Sequence, residues 1–149
     1  MIKRPLTSPV RFIHPEDPAL DSTLPIFADA FRRYLEGYDL ALLEALVRPG
    51  DKPTIWTITG LSRAQMLHCQ AITVDAHRED LIASFGLISV ENLQDAEGRT
   101  LSLKHTDAGQ GLFGPLGQQV SAESMQAIYD PAIVRQIAAV AWRRSRLCP

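Results

Sequence analysis

Cysteine is scarce in this chain, charge is nearly balanced, and no apolar run is long. Each shortage excludes something. Two cysteines, Cys69 and Cys148, cannot build a disulfide framework, which fits a reducing, cytoplasmic compartment. A net charge of −2 gives no global field toward nucleic acid or an anionic membrane, so neither is expected as a partner. No stretch approaches the roughly 20 apolar residues of a membrane span. The opening "MIKRPLTSPVRFIHP" carries basic residues but no continuous apolar core, so it does not read as a secretory signal.

Catalytic constellations are missing as well. No Gly-x-Ser-x-Gly nucleophile elbow occurs. Cys148 is penultimate, a poor place to preorganise a thiolate, and Cys69 reads as a small hydrophobe inside a helix. His68 and Cys69 are adjacent, so on a helix they point about 100° apart and do not share one ion. Asp75, Glu79 and Asp80 read as a solvated helix face. The acids of "DAEG" lack the ligand ladder of a calcium loop. The expectation is therefore no enzyme, no cofactor and no metal.

One motif argues the other way. "GQGLFG", Gly109 to Gly114, spells the G-x-G-x-x-G of dinucleotide-binding turns. That fingerprint needs a strand leading in and a helix following at once. Here the lead-in "KHTDAGQG" is polar, and Pro115, Leu116 and Gly117 delay any helix. The residues read as a Gly-rich surface loop in which Leu112 and Phe113 need cover.

What is present describes one ordinary globular domain of 149 residues, 46% hydrophobic and 21% charged. Pro5, Pro9, Pro15 and Pro18 make residues 1–20 a Pro-rich extended arm, with residues 21–149 as the domain. Asp21 or Ser22 is expected to cap a helix with Pro25 in its first turn. Leu24, Phe27, Phe31, Tyr34, Leu35 and Tyr38 lie on one side of it, and Gly37 closes it. Asp39 caps a short second helix, "LALLEALV". "PTIWTIT", 53–59, reads as a strand.

Ser62 and Gln65 have capping-box spacing and open a helix running to about Phe85, with Gly86 as its stop. Ile88 and Val90 alternate, as do Leu101 and Leu103, so a hairpin is expected near 88–104 with "DAEG" at its turn and Gly98 at positive φ. Ser121 starts a further helix, and Asp130 caps the last one with Pro131 at its first position. The fold class is α+β: four to five helices packed on a short, mainly antiparallel sheet.

Three stretches, "KPTIWTITGLSRAQ", "FGLISVENLQDAEGR" and "VRQIAAVAWRRSRL", together resemble small proteins of tailed-bacteriophage structural modules. The matching positions are Pro53, Thr54, Leu61, Ser62, Arg63, Ala64, Gly86, Leu87, Val90, Glu91, Asn92, Leu93, Asp95, Gly98, Arg144 and Ser145. The resemblance covers about two-thirds of the chain in scattered pieces. It implies a non-enzymatic role in virion morphogenesis, as a tail-module assembly factor or a small structural component of the virion. Its partners would be other virion or assembly proteins, or further copies of the chain, met in the host cytoplasm.

The Gly-rich loop and the helical stretch after Asp21 depart from that pattern. The alternatives are a small adaptor or regulator binding a host protein, and a nucleotide-binding enzyme using 109–114. Candidate partner-binding residues are Phe12 and Ile13 on the arm, Leu112 and Phe113 in the loop, and Trp142 with Arg143 near the end, since Trp and Arg are common interface anchors. Asn92, Asp95 and Gly98 are expected to form a turn whatever the function.

Overall fold

A computed structural model describes residues 9–128 and 130–146, with the side chain of Arg146 left aside. The architecture is α+β, as expected. A three-stranded antiparallel sheet has the order β1 (Val10–Phe12), β2 (Ile55–Ile58), β3 (Leu87–Glu91). Around it lie α1 (Phe27–Gly37), a 3-10 helix (Leu40–Leu46), α2 (Arg63–Gln70), α3 (Asp75–Gly86), α4 (Ala122–Ala127) and α5 (Pro131–Arg146). The core runs from the inner face of the sheet into the contact of α3 with α5.

The Pro-rich segment is not a separate arm over its described part. Val10, Arg11 and Phe12 pair with Ile58, Thr57 and Trp56, so this segment supplies an edge strand of the domain's own sheet. Tyr34 locks it in place: its hydroxyl accepts from the Ile13 N–H at 3.0 Å and donates to the Arg11 carbonyl at 2.5 Å. Phe27, Phe31, Tyr34 and Tyr38 then form a chain of stacked and edge-on rings that ends on Phe12. Pro5 lies outside the described residues.

α1 begins at Phe27, six residues after Asp21, because Asp21 spends its carboxylate on a local turn, accepting from the Thr23 N–H and hydroxyl. Its left-handed end is Tyr38, at φ 59°, and not Gly37. Asp39 caps the 3-10 helix by accepting from the Ala41 N–H, as expected.

The helix expected from Ser62 to Phe85 is two helices. Ser62 and Gln65 do form both hydrogen bonds of a capping box. The break falls at Ile72, Thr73 and Val74, three consecutive β-branched residues with restricted χ1. Arg78 reaches back to the Ile72 carbonyl at 2.9 Å and satisfies an acceptor that the break frees. Gly86 is the last residue of α3 but not for its φ: the Ala141 side chain of α5 approaches so closely that a Cβ on Gly86 would lie 2.5 Å from it.

The hairpin expected near 88–104 exists only in small. β3 pairs with β2, not with residues 101–103. What remains is a tight turn in which Gln94 bridges Thr100 and the Leu101 N–H donates to the Leu93 carbonyl at 2.7 Å. The turn residues behave as expected. Asp95 accepts from the Glu97 and Arg99 N–H groups, and Gly98 sits at φ 82°. Asn92, at φ 63°, donates through its amide to the Pro53 carbonyl and ties the turn to the start of β2.

Candidate interaction surface

The stretch around "GQGLFG" is a β-hairpin and not an irregular loop, and no helix follows it directly as the dinucleotide fingerprint requires. β4 (His105–Asp107) pairs with β7 (Gln118–Val120), and β5 (Gln110–Gly111) pairs with β6 (Gly114–Pro115). Between the two ladders, the Ala108 N–H bonds the Gly117 carbonyl and the Leu116 N–H bonds the Gly109 carbonyl. One antiparallel register therefore runs from His105–Val120 to Gly111–Gly114. Leu112 and Phe113 close it as a two-residue turn.

Such turns usually take primed geometry, with positive φ at the central residues. Here both central residues are bulky and neither has positive φ; Gly109, Gly114 and Gly117 take it instead, at 80°, 131° and 75°. The glycines therefore bend the ribbon, and the turn positions are left for side chains.

The root of the hairpin is fixed. Val120 and Leu116 are buried, and Gln65 of α2 donates its amide to the Leu116 carbonyl at 2.5 Å. His105 Nε2 lies 3.0 Å from the Leu87 carbonyl of β3. The Ser121 N–H returns to the Lys104 carbonyl at 2.8 Å. At the far end Leu112 is 91% exposed and Phe113 is 54% exposed. Burying such side chains stabilises by about 1.5–3 kcal/mol each, so an anchored ribbon that holds both in water withholds that gain from its own fold.

A second feature lies elsewhere. A cavity of about 410 Å³ has apolar walls from Trp56, Leu93, Leu101, Ile128 and Ile133. Asp95 and Asp130 also line it. Trp56 is 1% exposed, and its indole N–H has no acceptor among the described residues. A buried donor left unpaired costs about 1–3 kcal/mol. The sequence carries no sign of it: a Trp in a β-rich run reads as core, and the missing partner is a fact of three-dimensional placement.

The sequence candidates divide. Phe12 and Ile13, 1% and 3% exposed, are spent in the protein's own core because β1 joins the sheet. They are not surface anchors. Leu112 and Phe113 stand together at the hairpin tip. Trp142 is half-buried beside Gln70, Arg78 and Ile82, and Arg143 is exposed.

Burial pushes the Cys69 thiol up to about 12, which leaves it unreactive near neutrality. Among the described residues no three His, Cys, Asp or Glu side chains converge as metal ligands. No helix among them is long and apolar enough to cross a membrane.

The residues that carry the phage resemblance meet one another. The Leu61 N–H donates to Ser145 Oγ at 2.6 Å, and Leu61 borders the space at Gly86. The Thr54 hydroxyl donates to the Asn92 carbonyl, and the Asn92 side-chain amide donates to the Pro53 carbonyl, across the end of β2. Leu61, Gly86 and Ser145 thus hold α5 against the segments beside the sheet, and Pro53, Thr54 and Asn92 hold the start of β2 to the end of β3. The chain matches no protein-family model, no curated protein and no solved structure.

Proposed function

We propose that the chain is a non-enzymatic bacteriophage morphogenesis protein that works through protein–protein contacts, as a tail-module assembly factor or a small structural component of the virion. Its place of work is the host cytoplasm during assembly. One observation carries the interaction half of this reading: the anchored hairpin that presents Leu112 and Phe113 to solvent. A fold that fixes the root of a ribbon and exposes two large apolar residues at its end is organised for docking.

The phage half rests on the three sequence stretches. Support comes from their mutual contacts, since Pro53–Thr54 with Asn92, and Leu61 with Gly86 and Ser145, are pairs that a shared framework would keep together.

The test is genetic. The coding sequence is deleted from the genome that carries it, and particle production is followed by titre and electron microscopy. The reading expects DNA replication and lysis to proceed while complete particles fall at least a hundredfold and partial structures accumulate. A normal titre of intact particles would overturn it.

A further inference from the structure

We infer that two copies of the chain pair through the outer edge of β4, antiparallel and with Thr106 on the two-fold axis, so that their hairpins join into one ribbon. The inference is independent of the hairpin tip and names a second surface with its occupant.

The hydrogen-bond alternation of the ladder leaves that edge open. The Ser121 N–H bonds the Lys104 carbonyl and the Ala108 N–H bonds the Gly117 carbonyl, so the bonded pairs with β7 fall at Lys104, Thr106 and Ala108. His105 and Asp107 are the residues between, and their backbone N–H and C=O groups point away from β7. No described residue bonds those groups from outside the ladder, and every residue of β4 is exposed. Elsewhere side chains cover such groups. Tyr34 bonds the Ile13 N–H and the Arg11 carbonyl at β1, and His105 Nε2 lies at the Leu87 carbonyl of β3. An uncovered edge is a template for a further strand.

The residues on this edge select a second copy as that strand. In an antiparallel pair centred on Thr106, His105 stands opposite Asp107 of the second copy, and Asp107 opposite His105 of the second copy. These are the residues whose backbone groups point outward, so each pair exchanges both of its N–H···O bonds. Thr106 meets Thr106 of the second copy at the closer, non-bonded position, where Thr–Thr pairs are favourable. A slip that centres the pair on Asp107 sets carboxylate against carboxylate, and a slip by one residue sets outward groups against inward ones. The contact is isologous and closes at a dimer. Because β4 spans only Val120-paired His105 to Asp107, the ladder is short and the dimer is expected to be weak and reversible. Leu112 and Phe113 lie beyond the paired residues and stay available to another partner.

The experiment follows the full chain by sedimentation velocity and by amide hydrogen exchange at micromolar to millimolar concentration. The wild type is expected to form a concentration-dependent dimer and nothing larger. The His105 and Asp107 amides should gain protection as it forms, while the Thr106 amide, which faces β7, is protected throughout. Thr106→Lys and Thr106→Asp change an exposed side chain and should leave the urea midpoint unaltered. Each alone sets like charges across the axis and should weaken the dimer by about tenfold. Their equimolar mixture sets Lys against Asp and should associate at least as well as the wild type.

A wild type that stays monomeric overturns the inference. So does a mixture no tighter than the single variants, or a dimer in which the His105 and Asp107 amides gain no protection. Leu112→Ser/Phe113→Ser should dimerise as the wild type does. A dimer lost with the tip would place the contact there and overturn the pairing of β4. The deletion test reports on the morphogenesis role and these variants on the β4 edge, so the two readings fail separately.

Discussion

Ser145, in the last turn of α5, accepts a hydrogen bond from the backbone N–H of Leu61 at 2.6 Å, across 84 residues of sequence. The same hydroxyl donates to the Ala141 carbonyl one turn back, at 2.7 Å. Both ends of this bond are buried, and it fixes α5 to the segment that opens α2. Ser145→Ala leaves the Leu61 donor without a partner away from water, a loss of about 1–3 kcal/mol. Urea unfolding checks it. Ser62→Ala, which removes only an exposed helix cap, is the comparison and should cost about 1 kcal/mol.

Gly86 and Gly37 both end helices, yet they should respond oppositely to alanine. A Cβ on Gly86 would lie 2.5 Å from the Ala141 side chain and 3.1 Å from the Thr59 carbonyl, so Gly86→Ala should destabilise by about 1–3 kcal/mol. Ala141→Gly in the same chain should recover part of that loss. Nothing lies within 4 Å of a Cβ on Gly37, and its φ is not positive, so Gly37→Ala should be neutral or stabilising by up to about 1 kcal/mol. Thermal melts of the three variants decide the matter.

Asp95 should titrate below the usual carboxylate range. The Arg99 N–H is the largest cause, with the Glu97 N–H and the Arg99 side chain adding to it. A carboxyl whose folded pKa is depressed contributes stability above its unfolded pKa near 3.9, and that contribution is lost as pH falls through the lower folded value. Carbon-detected NMR of the Asp95 carboxyl should therefore show a midpoint below 3.9. The 93–101 turn should lose order as pH falls from about 3.9 through that midpoint, and Asp95→Asn should abolish this pH dependence.

Removing the tip should not cost stability. Leu112 and Phe113 are already exposed, so Leu112→Ser/Phe113→Ser should leave the urea midpoint within about 0.5 kcal/mol of wild type, the usual range for surface changes. Particle production should fall all the same. The separation of the two effects distinguishes a docking tip from a structural one.

What the sequence made legible was local. The capping box of Ser62 and Gln65, the Asp39 and Asp130 caps and the Asp95–Gly98 turn each depend on residues within a few positions, and each formed as expected. Long-range pairing was not legible. Phe12 and Ile13 read as an exposed arm because nothing nearby shows that Tyr34, over 20 residues on, will bond that strand. The 105–120 hairpin hid for another reason. Only Leu116 and Val120 of its residues are buried, so it lacks the alternation that marks a half-buried strand, and its glycines imitated a nucleotide loop. The tip residues Leu112 and Phe113 were found from composition alone, while the cavity at Trp56 depends on elements brought together from 56, 93–101 and 127–133.

The most direct measurement replaces Phe113 with the photocrosslinking amino acid p-benzoylphenylalanine in cells producing particles. The same probe at exposed Gln136 serves as the control. If the tip is a docking element, irradiation gives one discrete adduct of defined mass at position 113, either with a second copy or with another particle protein, and Leu112→Ser weakens it. If position 113 yields no adduct beyond the control, the tip meets no partner and the account is contradicted.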